Sequence, residues 1–385
     1  MKKVCVVTSS RADYGLLFHL LKKIKKSPFL DLQLIVSGSH LSQQHGMTLN
    51  EIKNDGFTID ASVSIIQEND SHLDISRAVS DGIIGFSEAY ERLSPDLVLM
   101  LGDRYEILAC AIAATIANLP IVHLHGGEIT EGAQDEAFRH SITKMAHLHF
   151  VAAKPYMDRV IQLGENPKSV FCYGGLGVDA IRHTSLMSRE ELAKELNADL
   201  NKKALLITFH PVTLERLKSY EQMKSLLLIL SEFSNFTIIF TMPNADIDGS
   251  KIATQIEAFV NNNDNTHYFK SLGQQKYYSC LYHFDAVIGN SSSGLLEAPS
   301  FKIPTINIGS RQDGRIRAKN IIDCEPNTKQ IREAIKLGLS SKFAAEIKNT
   351  INPYGSGGAS EKIIKVLEKI NTSDLGRKIF YDLIN

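Results

Sequence analysis

The chain has 385 residues, 43% hydrophobic and 22% charged, with Lys+Arg 42 against Asp+Glu 43 for a formal net charge of −1. That length accommodates about two or three domains, and the composition is that of a globular protein, neither disordered nor fibrous. The balanced charge excludes a broadly basic nucleic-acid-binding face, so no nucleic-acid partner is expected, but it leaves room for a local anion pocket.

The first strand is expected at Val4–Val7, ending at Thr8-Ser9-Ser10-Arg11-Ala12-Asp13-Tyr14-Gly15. Leu16, Leu17, Leu20, Leu21 and Ile24 then recur at helical spacing. A second strand, Leu32–Val36, ends at Ser37-Gly38-Ser39-His40. Residues 73–93 read as a helix, and Pro95 breaks the chain before the apolar run Leu97–Leu101. That run stops at Gly102-Asp103-Arg104. The run Ile121–Leu124 stops at His125-Gly126-Gly127-Glu128, and a polar helix begins near Gln134, carrying Asp135, Glu136, Arg139 and His140. Two more strands, 149–152 and 170–173, close this half before Gly174-Gly175-Leu176-Gly177. The β-then-α alternation restarts at Ala204–Ile207, which ends at Thr208-Phe209-His210-Pro211. Strands 236–240, 286–288 and 305–308 follow. They end at Met242-Pro243-Asn244, at Gly289-Asn290-Ser291-Ser292-Ser293-Gly294 and at Gly309-Ser310-Arg311. Helices near 329–337 and 360–370 finish the chain. Alternation of this kind predicts parallel sheets, and its restart near residue 180 predicts two tandem α/β domains.

Lys2-Lys3 followed by Val4–Val7 is too short an apolar core for a signal peptide. Leu226–Leu230 falls far short of the roughly 20 residues a membrane helix needs. Five scattered cysteines, at positions 5, 110, 172, 280 and 324 with no C-x-x-C pair, suit a reducing cytosol. The expectation is a cytoplasmic protein with no membrane partner.

In open α/β sheets, ligands sit beyond the carboxyl ends of the strands. Asp103, Arg104, Glu128 and Asp135 all follow such ends. Several carboxylates with a guanidinium point to proton transfer on an anionic substrate. The turn Asn290–Gly294 leads into a helix, and its hydroxyls and backbone N–H groups suit a diphosphate, with Glu297 placed to accept from ribose hydroxyls. Arg11, Arg104 and Arg311 at strand ends are further phosphate candidates. His210, before Pro211, is placed for chemistry or phosphate contact. No P-loop or G-x-G-x-x-G is present, so no nicotinamide cofactor is indicated. His123-x-His125 and His147-x-His149 have metal-like spacing, but i and i+2 share a strand face for packing reasons alone. No metal is expected.

These motifs together resemble the UDP-N-acetylglucosamine 2-epimerase family over almost the whole chain. They are Ser10-Arg11-Ala12-Asp13-Tyr14, Gly102-Asp103-Arg104, Gly126-Gly127-Glu128, Asp135 with Arg139-His140, His210-Pro211-Val212-Thr213, Gly289-Asn290-Ser291-Ser292 and Gly309-Ser310-Arg311. Ala12-Asp13 and Arg104 stand where the non-hydrolysing branch has Pro-Glu and Thr, so the resemblance is to the hydrolysing branch. It implies a GT-B fold: two Rossmann-like domains with parallel sheets facing a cleft, and a C-terminal helix crossing back to the first. The expected domains are 1–178 with about 366–385, and 179–365. It implies a nucleotide-sugar partner, with UDP held by Arg11, Arg104, His210, Asn244, Ser291, Ser292, Glu297 and Arg311. Catalysis would fall to Asp103, Glu128, Asp135 and His210, without a cofactor. The implied reaction eliminates UDP to a 2-acetamidoglucal and hydrates it to N-acetylmannosamine, the first step of sialic acid synthesis. Homo-oligomers, dimers or tetramers, are the family habit. Two alternatives keep the pocket: a relative acting on a 2,4-diacetamido-trideoxyhexose nucleotide in legionaminic acid synthesis, and a GT-B glycosyltransferase.

Overall fold

The structure, a computed structural model, describes residues 1–42, 47–65, 71–130, 134–211, 216–242 and 249–383. The chain divides into two compact units, Met1–Ala180 with Gly357–Asn385, and Ile181–Ser356. Among the described residues, no helix is long and apolar enough to cross a membrane.

The first unit is built on seven strands: β1 (Lys2–Thr8), β2 (Leu30–Ser37), β3 (Ala61–Val63), β4 (Leu97–Leu101), β5 (Ile121–Leu124), β6 (Leu148–Val151) and β7 (Val170–Cys172). Their order is β3-β2-β1-β4-β5-β6-β7, and every pairing is parallel. Both faces are covered, so the strands are apolar throughout rather than alternating. In β1, Val4 and Val6 face a core shared with the helix Arg11–Lys26 and with Ile363 and Leu367. Cys5 and Val7 face a second core shared with Phe86, Ile107 and Cys110. The order reverses between β1 and β4, which makes their carboxyl ends the topological switch point of this sheet.

The last helix, Ala359–Lys369, belongs to this unit. Gly358 at its N-cap has φ 86°, and the missing side-chain cap is supplied from a distance. Asp179 accepts from the N–H groups of Gly358, Ala359 (2.9 Å) and Ser360 (3.0 Å), satisfying donors that a helix start leaves open. Lys23 pairs with Glu361 at 2.9 Å, and Ser27 donates to Glu368 at 2.6 Å.

The second unit has six strands: β8 (Ala204–Thr208), β9 (Thr237–Thr241), β10 (Thr266–Phe269), β11 (Ala286–Gly289), β12 (Thr305–Ile308) and β13 (Ile321–Cys324). They are parallel in the order β10-β9-β8-β11-β12-β13, with the switch between β8 and β11. Two Rossmann-like units with a C-terminal helix returned to the first make the GT-B architecture.

Candidate active site

In the first unit, the acidic motifs are organised by one arginine. Arg139 lies in the helix Gln134–Met145 and is only 2% exposed. Its Nη1 donates to the Glu128 carbonyl at 3.0 Å and to Glu136 Oε2 at 2.7 Å. Its Nη2 donates to Thr130 Oγ1 at 2.8 Å and forms an ion pair with Asp103. The planar fork serves four acceptors from two sides, which a lysine cannot do. Glu136 also accepts from the Thr130 N–H at 2.7 Å and pairs with His140 at 3.0 Å. Asp135 occupies the first turn of the same helix, one residue before Glu136.

Glu128 is buried and meets His125 Nδ1 at 3.0 Å. His125 Nε2 accepts from the Leu176 N–H at 3.2 Å, so in the neutral ring the proton sits on Nδ1 and is donated to Glu128. The turn that delivers Glu128 is tight. His125 has φ 63° and Gly127 has φ 76°; a Cβ at Gly127 would lie 2.4 Å from the Tyr156 carbonyl oxygen. Only glycine fits there. His123, two residues earlier on β5, donates from Nε2 to the Gly102 carbonyl at 2.8 Å, since a carbonyl can only accept. It accepts at Nδ1 from Thr143 at 3.2 Å. Burial pushes its imidazole down to about 3, so it stays neutral and structural. The His-x-His spacing therefore reflects one histidine in the core and one behind Glu128.

A second cluster sits at the β1–β4 switch. Arg104 binds Glu106, with Nε 3.1 Å from Oε2. Ser9 donates to Asp13 at 2.7 Å. Burial raises the Asp13 carboxyl, and Glu106 adds to this against the hydrogen bond from Ser9 and the charge of Arg104. Arg11 is half exposed and pairs with Glu51 at 3.3 Å.

In the second unit, three strand ends are stitched together through Asn290, which is fully buried. The His210 N–H donates to its Oδ1 at 2.7 Å, and its Nδ2 donates to the His210 carbonyl at 2.8 Å. The Asn290 carbonyl accepts from Arg311 at 3.2 Å and from Gln312 at 2.8 Å. Burial, and then the charge of Arg311, push His210 down to about 3, leaving it neutral. Gly289 has φ 139°, and a Cβ there would lie 1.9 Å from the Thr208 carbonyl oxygen. The helix expected after Asn290 is a single turn, Ser293–Leu296, interrupted at Glu297 and resumed as Ala298–Phe301. One turn carries little macrodipole, so this helix start by itself offers an anion little. Burial raises the Glu297 carboxyl, against a hydrogen bond from Ser293 and the charge of Arg315.

Asn244, and Val212 and Thr213 of the His210 motif, lie outside the described residues. Sequence reasoning did not single out His125 as the partner of Glu128, Glu136 as the brace of Arg139, or Asn290 and Gln312 as supports for His210 and Arg311. The Glu136-x-x-Arg139-His140 spacing, i, i+3 and i+4 on one helix face, was the available signal.

A family model described as UDP-N-acetylglucosamine 2-epimerase matches residues 22–368. The GDP/UDP-N,N'-diacetylbacillosamine 2-epimerase (hydrolyzing) of Campylobacter jejuni is 41% identical over 99% of each chain. The polysialic acid biosynthesis protein P7 of Escherichia coli is 37% identical over 100% of this chain and 98% of its own. The crystal structure of UDP-GlcNAc 2-epimerase from Neisseria meningitidis bound to UDP-GlcNAc superposes with a TM-score of 0.83 at 18% identity, covering 96% of this chain and 100% of that one.

Proposed function

The chain belongs to the UDP-N-acetylglucosamine 2-epimerase family, and from that premise we propose that it is a hydrolysing member acting on a UDP-linked 2-acetamido sugar. The reaction needs a C2 proton removed while UDP leaves C1. The C2–H and C1–O bonds break, the C1=C2 double bond forms, and a 2-acetamidoglycal results. Water then returns hydroxyl to C1 and a proton to the opposite face of C2. Substrate and water thus give UDP and the C2 epimer, with no net oxidation. Such a sequence requires proton carriers beside the sugar and stabilisation of the departing diphosphate.

The observation that carries this reading is the Arg139 assembly, which fixes Asp103, the Glu128 backbone and Glu136 relative to one another at the carboxyl ends of β4 and β5. We assign proton transfer to Glu128, Asp103 and Asp135, with the His125 N–H behind Glu128 keeping one of its oxygens oriented. In the second unit the diphosphate is assigned to His210, Ser291, Ser292 and Arg311 and the ribose to Glu297; in the first unit Arg11 and Arg104 are the phosphate candidates. Asn244 completes the proposed set. His210, neutral and buried, is suited to donate one hydrogen bond without adding a charge.

For the sugar, the 41% identity to the Campylobacter protein supports a 2,4-diacetamido-trideoxyhexose. The family description, UDP-N-acetylglucosamine 2-epimerase, supports N-acetylglucosamine as the second reading, and the 37% identity to the polysialic acid biosynthesis protein fits it. In that second reading the product is N-acetylmannosamine, and the step opens sialic acid synthesis. Turnover of purified protein on both nucleotide sugars tests the assignment, with UDP release and product stereochemistry as readouts. Release of UDP only when an acceptor sugar is added would replace the proposal with a glycosyltransferase. Binding of UDP without any turnover would replace it with a sensor.

A further inference from the structure

The helix Gln134–Met145 carries Asp135, Glu136, Arg139 and His140 within its first two turns, and its other end is held by the C-terminal tail of the chain. The last carbonyls of a helix have no partner within it. Here the carbonyls of Thr143, Lys144 and Ala146 converge on Lys378 Nζ. A cation at that position also opposes the negative end of the helix dipole. The ammonium further pairs with Glu165 Oε2 at 2.8 Å.

Glu165 is the hub of this contact. It is 3% exposed, and it also receives Lys144 at 2.6 Å and His149 Nε2 at 3.1 Å. Burial would raise its carboxyl, but the hydrogen bonds from His149, Lys144 and Lys378 outweigh that and hold it down at about 2. It therefore stays ionised, and two lysines anchored to one buried carboxylate tie the tail to the helix. His149 pairs across strands with His123, whose Nε2–H holds the Gly102 carbonyl beside Asp103. The hub thus bonds the helix through Lys144 and, through His149, the strand that pairs with β5.

Two more contacts seat the tail. The Tyr381 N–H donates to the Gly164 carbonyl at 2.9 Å. The Phe380 ring lies so close over Gly164 that a Cβ there would be 2.4 Å from it, and Lys144 Nζ lies 4.7 Å from its centroid. These contacts come from residues 378–381, which are otherwise exposed. An exposed tail of this kind adds little to the core, so the precision of its contacts calls for another role.

We propose that Lys378 is a positioning residue for the epimerisation: with Glu165 it clamps the carboxyl end of Gln134–Met145, and so fixes Asp135, Glu136 and Arg139 against Asp103 and Glu128. The inference about turnover rests on the proposed reaction, whereas the clamp itself does not. A displacement of the helix by a fraction of a turn separates Arg139 from Asp103, and small misplacements of this kind cost rate rather than binding.

The test uses the full chain and three variants: Lys378→Met, Lys378→Arg and Phe380→Ala. Hydrogen exchange on Gln134–Met145 reads the clamp without any substrate, and Lys378→Met is expected to speed it about tenfold or more. On the nucleotide sugar that turns over, kcat is expected to fall roughly 10–100-fold, with KM and UDP affinity within about twofold of the unaltered chain. Lys378→Arg should recover most of the rate, and Phe380→Ala should show the same pattern more weakly. If Lys378→Met does not fold, Phe380→Ala carries the test alone. Unchanged exchange in Gln134–Met145 overturns the clamp. Faster exchange with unchanged kcat per folded molecule overturns the positioning role. Faster exchange in a chain that turns over neither sugar upholds the clamp while overturning the proposed reaction.

Discussion

Replacing Arg139 by methionine is the sharpest perturbation of the acidic cluster, because it removes the guanidinium while keeping most of the apolar stem. Four acceptors each lose one donor: the Glu128 carbonyl, Thr130 Oγ1, Glu136 and Asp103. The two neutral acceptors lose about 1 kcal/mol each. The carboxylates of Asp103 and Glu136 are 26% and 29% exposed, so water recovers part of their loss, and about 1 kcal/mol each is a discounted figure. The expected destabilisation is therefore about 3–4 kcal/mol, a large part of the roughly 5–15 kcal/mol that holds a domain together. Arg139→Lys retains charge but cannot reach acceptors on two sides from one nitrogen, and about 2 kcal/mol is expected. A two-unit chain need not unfold in one step, so native-state hydrogen exchange on Gln134–Met145 is the appropriate assay, supported by urea unfolding. A loss below about 1 kcal/mol for Arg139→Met would refute the reasoning that this arginine organises the cluster.

Glu128→Gln should lower kcat by roughly 10²–10⁴-fold while leaving UDP affinity nearly unchanged, as steady-state kinetics and calorimetry would show. His210→Ala and Arg311→Ala should each weaken UDP binding by about 1–3 kcal/mol in calorimetry; unchanged affinity in both would place the nucleotide elsewhere. His123 is held near 3 in the folded chain against an ordinary imidazole value of 6.5. Its folded value is depressed, so its contribution is complete above 6.5 and is lost as pH falls from there towards 3. His123→Gln should flatten the stability profile across that window by about one proton, read from urea midpoints between those limits. Gly289→Ala should destabilise the second unit by about 3 kcal/mol or more, because the added carbon meets the Thr208 carbonyl and φ is positive; thermal unfolding checks this.

The parallel sheets were legible because the central strands are apolar runs that stop abruptly at glycine or polar residues. Leu97–Leu101 before Gly102 and Thr305–Ile308 before Gly309 show this directly. The edge strands β3, β10 and β13 were not, whereas the edge strand β7 was expected at 170–173. Ala61–Val63 has three residues, Thr266–Phe269 alternates weakly, and Ile321–Cys324 is only partly covered. Such short edge segments carry little periodic signal. The helix Tyr105–Ile116 gives little periodic signal because it is buried on most faces and shows no amphipathic stripe. Within the site, acidic residues following strands could be picked out one by one. Their partners could not, since His125 to Glu128 and Arg139 to Asp103 are contacts set by the turn at Gly127 and by helix packing. The tail was assigned to the first domain, but nothing in Arg377-Lys378-Ile379 signals that one lysine caps a helix more than two hundred residues earlier in the chain.

The central claim is that inversion at C2 proceeds by loss and regain of a proton at carboxylates that exchange with water. Turnover in D₂O, with ¹⁸O-labelled water in a parallel reaction, tests it most directly on whichever nucleotide sugar is consumed. The account predicts an epimerised product carrying deuterium at C2 and ¹⁸O at C1, with no ¹⁸O in the released UDP. An inverted product without deuterium at C2 would contradict the proton-transfer roles assigned to Asp103, Glu128 and Asp135.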